Sequence, residues 1–411
     1  MDHPVRPESW YQDHVILLIG GTGTLGGCLL YKLSVILPTK KIIVLCRKSV
    51  QHAVDKIEQS MPEQSGPILD SQRVEFIVGD TSRADLGLRS GELKRLREEV
   101  TVVIHCAANV SLQQELRASV AQHCVSHILF LDLLAGFHRL QALLYLSTAY
   151  VNSFLPAGRI CETVYEIPDC DPPLQDVARE IKLILETGTS PYASKFAAPY
   201  TYAKYLAERL TLERKAQYAV LIVRPSQIGP AIAQPFPYYG FNMTIPMHSY
   251  FKYLLGSTEH IIKRLITQTE NIRDVCDEVP VDLVANICLL HLALGTQGIV
   301  HAASALYVSY TSADIVDLFR TYVPPASRMA ICNYASERAS AHAEFFFRML
   351  TTLARNWTYD CSRSEGLRNL HGPLRLGLEK HDPDRFVQVR IQRVAQQWLE
   401  TLKSSQGLGT A

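Results

Sequence analysis

Val15-Ile16-Leu17-Leu18-Ile19-Gly20-Gly21-Thr22-Gly23-Thr24-Leu25-Gly26 is the stretch whose reading decides the fold of this 411-residue chain. The apolar run Val15–Ile19 reads as a buried strand, and Cys28-Leu29-Leu30-Tyr31-Lys32-Leu33 beyond it has helical spacing with no breaker. Glycines between a strand and a helix allow a tight turn and the close approach of a pyrophosphate. Backbone amides and the positive end of the helix then hold the charge. An ordinary strand–helix turn uses the same residues, so the motif draws its meaning from a second stretch far downstream, Tyr200-Thr201-Tyr202-Ala203-Lys204.

Further apolar runs follow at Lys41–Cys46, Val74–Val78, Val102–Cys106, Ala142–Leu146 and Ala219–Val223, with Gly298–His301 as a last strand. Their alternation with helical stretches predicts an α/β fold, a Rossmann-type doubly wound parallel sheet. Residues 1–302 are expected to form the NAD(P)-binding domain, with substrate-side insertions at about 153–198 and 228–275. Residues 303–411 are expected to form a smaller, mainly helical C-terminal lobe. Arg47 and Lys48 end the second strand, where an acidic residue suits a ribose 2′-hydroxyl and an Arg suits a 2′-phosphate, so NADPH is favoured over NADH. At the end of the fourth strand Ala107 and Ala108 are small enough for a flat cofactor to lie against the backbone. His105, His123 and His127 lack a carboxylate or Cys at ligand spacing, so they are read as packed or surface histidines and no metal is expected.

With 47% hydrophobic and 20% charged residues and a net charge of +1, the chain offers no electrostatic case for nucleic acid or an anionic membrane surface. Ten cysteines without a C-x-x-C pair fit a reducing, intracellular compartment. Apolar runs are too short or too interrupted for a transmembrane segment, as at Asp282, Asn286 and His291 within 281–294. A cytoplasmic protein is expected; nothing in the sequence speaks to its oligomeric state.

Tyr200 and Lys204 lie four apart on one helix, so their side chains share a face. An ammonium there is expected to pull the phenol below its ordinary pKa of ~10. Thr148, with Ser147 beside it, ends the fifth strand and can hydrogen-bond a carbonyl oxygen. Together these groups supply proton transfer and oxyanion stabilisation around a cofactor that supplies hydride.

With these residues in place, the sequence resembles the extended short-chain dehydrogenase/reductases. Within them it is most similar to the fatty acyl-CoA reductase or male-sterility group and the related carrier-protein thioester reductases. The resemblance rests on the glycine turn, Leu45–Lys48, Gly79-Asp80 with Leu86-Gly87-Leu88, Leu146–Asn152, Tyr200–Lys204 with Leu206-Ala207-Glu208, Ile222–Ser226, Val279–Asp282 with Asn286, and a segment from Trp357 to Trp398. It implies Thr148, Tyr200 and Lys204, with Ser147, as the catalytic set. It implies cofactor contacts from Gly20, Thr22, Gly23, Thr24, Leu25, Gly26, Arg47, Lys48, Asp80, Thr81, Ala107 and Ala108, and from Tyr200 and Lys204. Asp80 is expected at the adenine edge and Arg47 at the 2′-phosphate. Two positions depart from the group: Thr24 stands where an aromatic is usual, and His123 where an Asn often supports the lysine. The implied reaction is NADPH-dependent reduction of an acyl thioester, on CoA or a carrier protein, to aldehyde or onward to alcohol, in lipid or secondary metabolism. The same Tyr and Lys serve a dehydrogenase or ketoreductase acting on a sterol, terpenoid or sugar nucleotide. A non-catalytic NADP(H)-sensing module is the reading from another class.

Overall fold

The computed structural model describes residues 6–168, 176–214, 217–256, 275–323, 356–379 and 381–405. Residues 169–175 of the first expected insertion, 257–274 of the second and 324–355 of the expected C-terminal lobe lie outside the described residues. Seven strands form the main sheet: β1 (Val15–Ile19), β2 (Lys41–Cys46), β3 (Val74–Val78), β4 (Val102–His105), β5 (Ala142–Leu146), β6 (Ala219–Pro225) and β7 (Gly298–Ala302). They are parallel throughout, in the order β7-β6-β5-β4-β1-β2-β3. The order reverses beside β1, and open sheets of this kind bind ligands in the crevice at such a switch point.

The strands are continuous apolar runs because helices cover both faces of the sheet. Alternate residues feed two separate cores. Ile16, Leu18, Ile42, Val44, Ile104, Leu144 and Val300 join the Thr24–Tyr31 and Val281–Ala293 helices on one side. Leu17, Ile19, Ile43, Val103, Leu143, Tyr145 and Ile222 face Phe130, Tyr202 and Leu206 on the other. The side chain of Leu25, counted among the cofactor residues from sequence, is part of the first core. Only its backbone is left for a ligand.

A third core joins the helices Pro246–Leu255, Ser312–Tyr322 and Pro383–Ser405 through Phe251, Leu254, Ile315, Phe319, Ile391 and Val394. The described core residues of the expected C-terminal lobe, 303–411, thus divide between two bodies of packing. Trp357–Tyr359 pairs in parallel with Gly158–Ile160, and Trp357 and Tyr359 belong to the first core. The third core is tied down by Arg390, whose guanidinium bonds both carboxylate oxygens of Glu278 at 2.5 and 3.0 Å and meets His248 Nε2 at 3.0 Å. Among the described residues no helix is long and apolar enough to cross a membrane.

Candidate active site

At the carboxyl end of β1 the chain turns through Gly20 with φ +94°, a conformation that side chains rarely adopt. A Cβ at Gly20 would lie 2.7 Å from the Ala107 amide nitrogen, and one at Gly26 would lie 1.9 Å from the Gly20 carbonyl oxygen. The glycines therefore let three backbones meet: the turn, the first helix and the end of β4. Gly23 caps the Thr24–Tyr31 helix, and its N–H donates to the Gly20 carbonyl at 2.9 Å. Thr22 is half-buried while Gly23 and Thr24 are exposed. The first-turn amides, which a helix leaves without internal acceptors, are thus open to an anion. Beyond the turn, the Tyr239 hydroxyl donates to the Thr24 carbonyl at 3.0 Å. A Cβ at Gly240 would come within 2.4 Å of Thr24 Cγ2. The position that carries a small residue in place of an aromatic is touched by this distant loop while remaining exposed.

Arg47 and Lys48 follow β2, exposed and in no ion pair among the described residues. Asp80, half-buried after β3, accepts from the Ser82 N–H and hydroxyl at 2.9 and 2.8 Å, both through Oδ1. Its pKa is held below the ordinary value, first by the Ser82 backbone bond and also by the Arg47 and Arg83 charges. Arg47 and Asp80 thus share one electrostatic neighbourhood beyond the ends of β2 and β3. Thr81 is half-buried beside them, and Ala107 and Ala108 are exposed at the opposite wall. A crevice of glycine backbone at a helix N-terminus fits a nicotinamide dinucleotide.

The helix that carries Tyr200 and Lys204, Pro199–Glu213, begins with Pro199 at its first position. Lys204 Nζ, buried, donates to the Leu146 carbonyl and the Tyr145 hydroxyl, each at 2.7 Å. These bonds dock the helix on the end of β5, two residues before Thr148. Thr148 caps the short turn Ala149–Asn152, accepting from the Tyr150 N–H at 3.3 Å and keeping its own proton free to donate. Ser147 Oγ is buried with no partner among the described residues. The Tyr200 ring meets His123 edge-on at 5.3 Å between centroids, and His123 Nε2 lies 2.9 Å from the Asn109 carbonyl oxygen just past Ala108. Tyr200 is thereby linked through His123 to the segment just past β4, while its helix is tied through Lys204 to the end of β5.

The electrostatics differ from the sequence expectation in one respect. Lys204 spends its hydrogen bonds on Tyr145 and Leu146 and makes none to Tyr200, whose pKa burial raises above the ordinary phenol. The lysine reaches down to strand-end oxygens because they are the acceptors beneath its helix face. Burial also lowers Lys204 itself to about 7, opposed chiefly by the Glu208 charge. His123, at the position where an Asn often supports the lysine, is lowered to about 4, chiefly by burial and then by Lys204. It is neutral near pH 7 and packs against the phenol. His105 and His127 are core residues around Tyr145, with ring centroids 5.7 and 4.4 Å from it.

A family model described as male sterility protein matches residues 18–288, which hold all of the residues above. The chain belongs to the male sterility protein family. Over 73% of its length it is 26% identical to human fatty acyl-CoA reductase 2, and over 69% it is 28% identical to chicken fatty acyl-CoA reductase 1. The chain matches 58% and 55% of those relatives' lengths, just over half. Among solved structures it resembles the terminal R domain from the myxalamid PKS-NRPS biosynthetic pathway. That likeness has a TM-score of 0.65 and 19% identity, and covers 97% of this chain and 92% of that one.

Within this family fold, reading the residues missed Tyr145 and the loop of Tyr239 and Gly240. Tyr145 had a signal: it is the one hydroxyl in Ala142-Leu143-Leu144-Tyr145-Leu146, and a buried phenol needs a partner. Tyr239 had none, since it reaches Thr24 across 215 residues of chain.

Proposed function

We propose that this chain reduces an acyl thioester, on CoA or a carrier protein, with NADPH as hydride donor. The observation that carries the reading is the anchoring of the helix that bears Tyr200: Lys204 pins it to the end of β5, two residues before Thr148, and the Tyr200 ring packs on His123, which lies against the Asn109 carbonyl just past β4. NADPH supplies hydride to the acyl carbon when bound. The Thr148 hydroxyl and the orphaned Ser147 hydroxyl donate to the carbonyl oxygen, and a substrate oxygen gives Ser147 the partner that a buried hydroxyl requires. Tyr200 delivers its phenolic proton to that oxygen. Because burial keeps the phenol protonated through neutral pH, Tyr200 is suited to giving a proton in the reductive direction. The resulting hemithioacetal expels its thiol and leaves an aldehyde; a second round at the same site carries the aldehyde to alcohol.

Arg47 and Lys48 support NADPH over NADH. The described cysteines are free, many of them buried with thiol pKa values raised by burial, which suits the reducing cytoplasm that the sequence suggests. The curated relatives bear the name fatty acyl-CoA reductase, which supports the thioester class without fixing the acyl chain. The test is purified protein with NADPH and a panel of acyl-CoA and acyl-carrier-protein thioesters. NADPH loss with stoichiometric release of free thiol is expected. A silent panel across both carriers overturns the proposal.

A further inference from the structure

We infer that Tyr145 is the positioning residue for Lys204: its phenol oxygen accepts from the buried ammonium and holds it charged at the end of β5. This deepens the reductase reading and rests on it. Lys204 is 1% exposed, and its acceptors are the Tyr145 hydroxyl and the Leu146 carbonyl, each 2.7 Å away, with the ammonium 4.1 Å from the Tyr145 ring centroid. A buried ammonium needs compensation, and a carboxylate is the usual source. Glu208, one turn further along the same helix, is committed to Arg224 through both its oxygens. The other groups facing the lysine are Tyr200 on its own helix, His123, Cys124 and His127 on the helix beneath, and His105 at the end of β4. Burial keeps the three histidines neutral and raises the Cys124 thiol, so none of them supplies a negative charge near neutral pH. Glu208 favours the ammonium only through its charge, so the phenol oxygen and the Leu146 carbonyl are the atoms that bond it directly, and the phenol is the one side chain among them. Its ring is itself fixed, packed at 4.4 Å against His127, whose Nε2 lies 2.7 Å from Thr211 Oγ1.

The ammonium is populated below the lysine's pKa, which burial has brought to about 7. Removing its phenol acceptor disfavours the charged form further, so the limb on which function falls as pH rises moves to lower pH. The loss of one hydrogen bond to a charged group corresponds to a shift of about one to two pH units. The experiment compares wild type, Tyr145→Phe and Thr211→Val by two pH profiles: kcat/KM for a thioester, and the Kd of NADPH from its fluorescence. Thr211→Val disturbs the same core without touching Lys204. The alkaline limb is expected to move to lower pH in Tyr145→Phe alone, while melting temperature falls in both. An unshifted limb in Tyr145→Phe makes Tyr145 a core residue only and overturns the inference, as do flat profiles in the wild type. If Tyr145→Phe does not fold, 4-fluorophenylalanine at position 145 keeps nearly the same shape with a poorly accepting fluorine that cannot ionise, and is held to the same criterion. Should no thioester turn over, the NADPH profile still decides for or against Tyr145, so failure of the reductase reading is separable.

Discussion

Glu208→Ala strikes the buried ion pair that locks the catalytic helix to β6. Arg224 Nε lies 3.0 and 3.1 Å from the two Glu208 carboxylate oxygens, and Nη2 lies 2.5 Å from Oε2. The side chains are 1% and 3% exposed. Nη1 keeps its own bond to the Thr163 carbonyl at 2.8 Å, so the guanidinium is held in place when the carboxylate leaves and has no route to water. An uncompensated buried charge of this kind costs about 3–5 kcal/mol. Glu208→Gln retains one oxygen acceptor and is expected to lose less. The double variant Glu208→Leu/Arg224→Met removes both charges and is expected to recover most of the loss, because two desolvation penalties disappear with the attraction. The assay is urea unfolding followed by tryptophan fluorescence, comparing midpoints at constant slope. The reasoning is refuted if Glu208→Ala loses under about 1 kcal/mol, or if the double variant is no more stable than the single one.

Three further outcomes are expected. Gly26→Ala places a Cβ 1.9 Å from the Gly20 carbonyl oxygen, so the turn must open and NADPH binding by fluorescence titration should be lost, with the other nucleotide-turn backbone distorted alongside. Arg47→Ala should raise the KM for NADPH by about 10-fold or more while leaving NADH nearly unchanged, as expected of one lost charge-assisted bond to phosphate; equal effects on both cofactors would place the 2′-phosphate elsewhere. Stability should fall on acidification. Burial depresses His105 to about 3 and His123, His291 and His301 to about 4. The unfolded chain therefore takes up protons that the native state refuses. Stability from these groups is complete above pH ~6.5 and declines toward pH 4, by up to about 1.4 kcal/mol per pH unit for each histidine. Urea midpoints that stay level between pH 7 and 5 would contradict this.

The sheet was legible because its strands are the least ambiguous signal in the chain. Runs such as Lys41–Cys46 and Val74–Val78 are the right length for strands buried on both faces, and their borders fall within a residue or two of those observed. Asp176 as a cap and Pro199 as a first residue likewise mark helix starts in the sequence itself. Tyr200 and Lys204 were legible as a pair because helical periodicity puts them on one face. The partner of Lys204 was not, because which oxygen an ammonium reaches depends on the strand beneath its helix. Tyr145 lies 59 residues away along the chain. The same holds for the division of the expected C-terminal lobe. Trp357–Tyr359 falls within the expected lobe of 303–411, yet its pairing with Gly158–Ile160 draws it to the first core. Long-range contacts with no local periodicity leave no pattern to read.

The central claim, that hydride reaches a thioester carbonyl carbon held between Thr148 and Tyr200, is tested most directly with NADPH deuterated at both C4 positions. Purified protein, this cofactor and an acyl thioester are incubated together, and the products are weighed by mass spectrometry. The account predicts one deuterium on C1 of the aldehyde, or two on C1 of the alcohol. Aldehyde or alcohol without deuterium at C1, or thiol release with only the free acid formed, would contradict it.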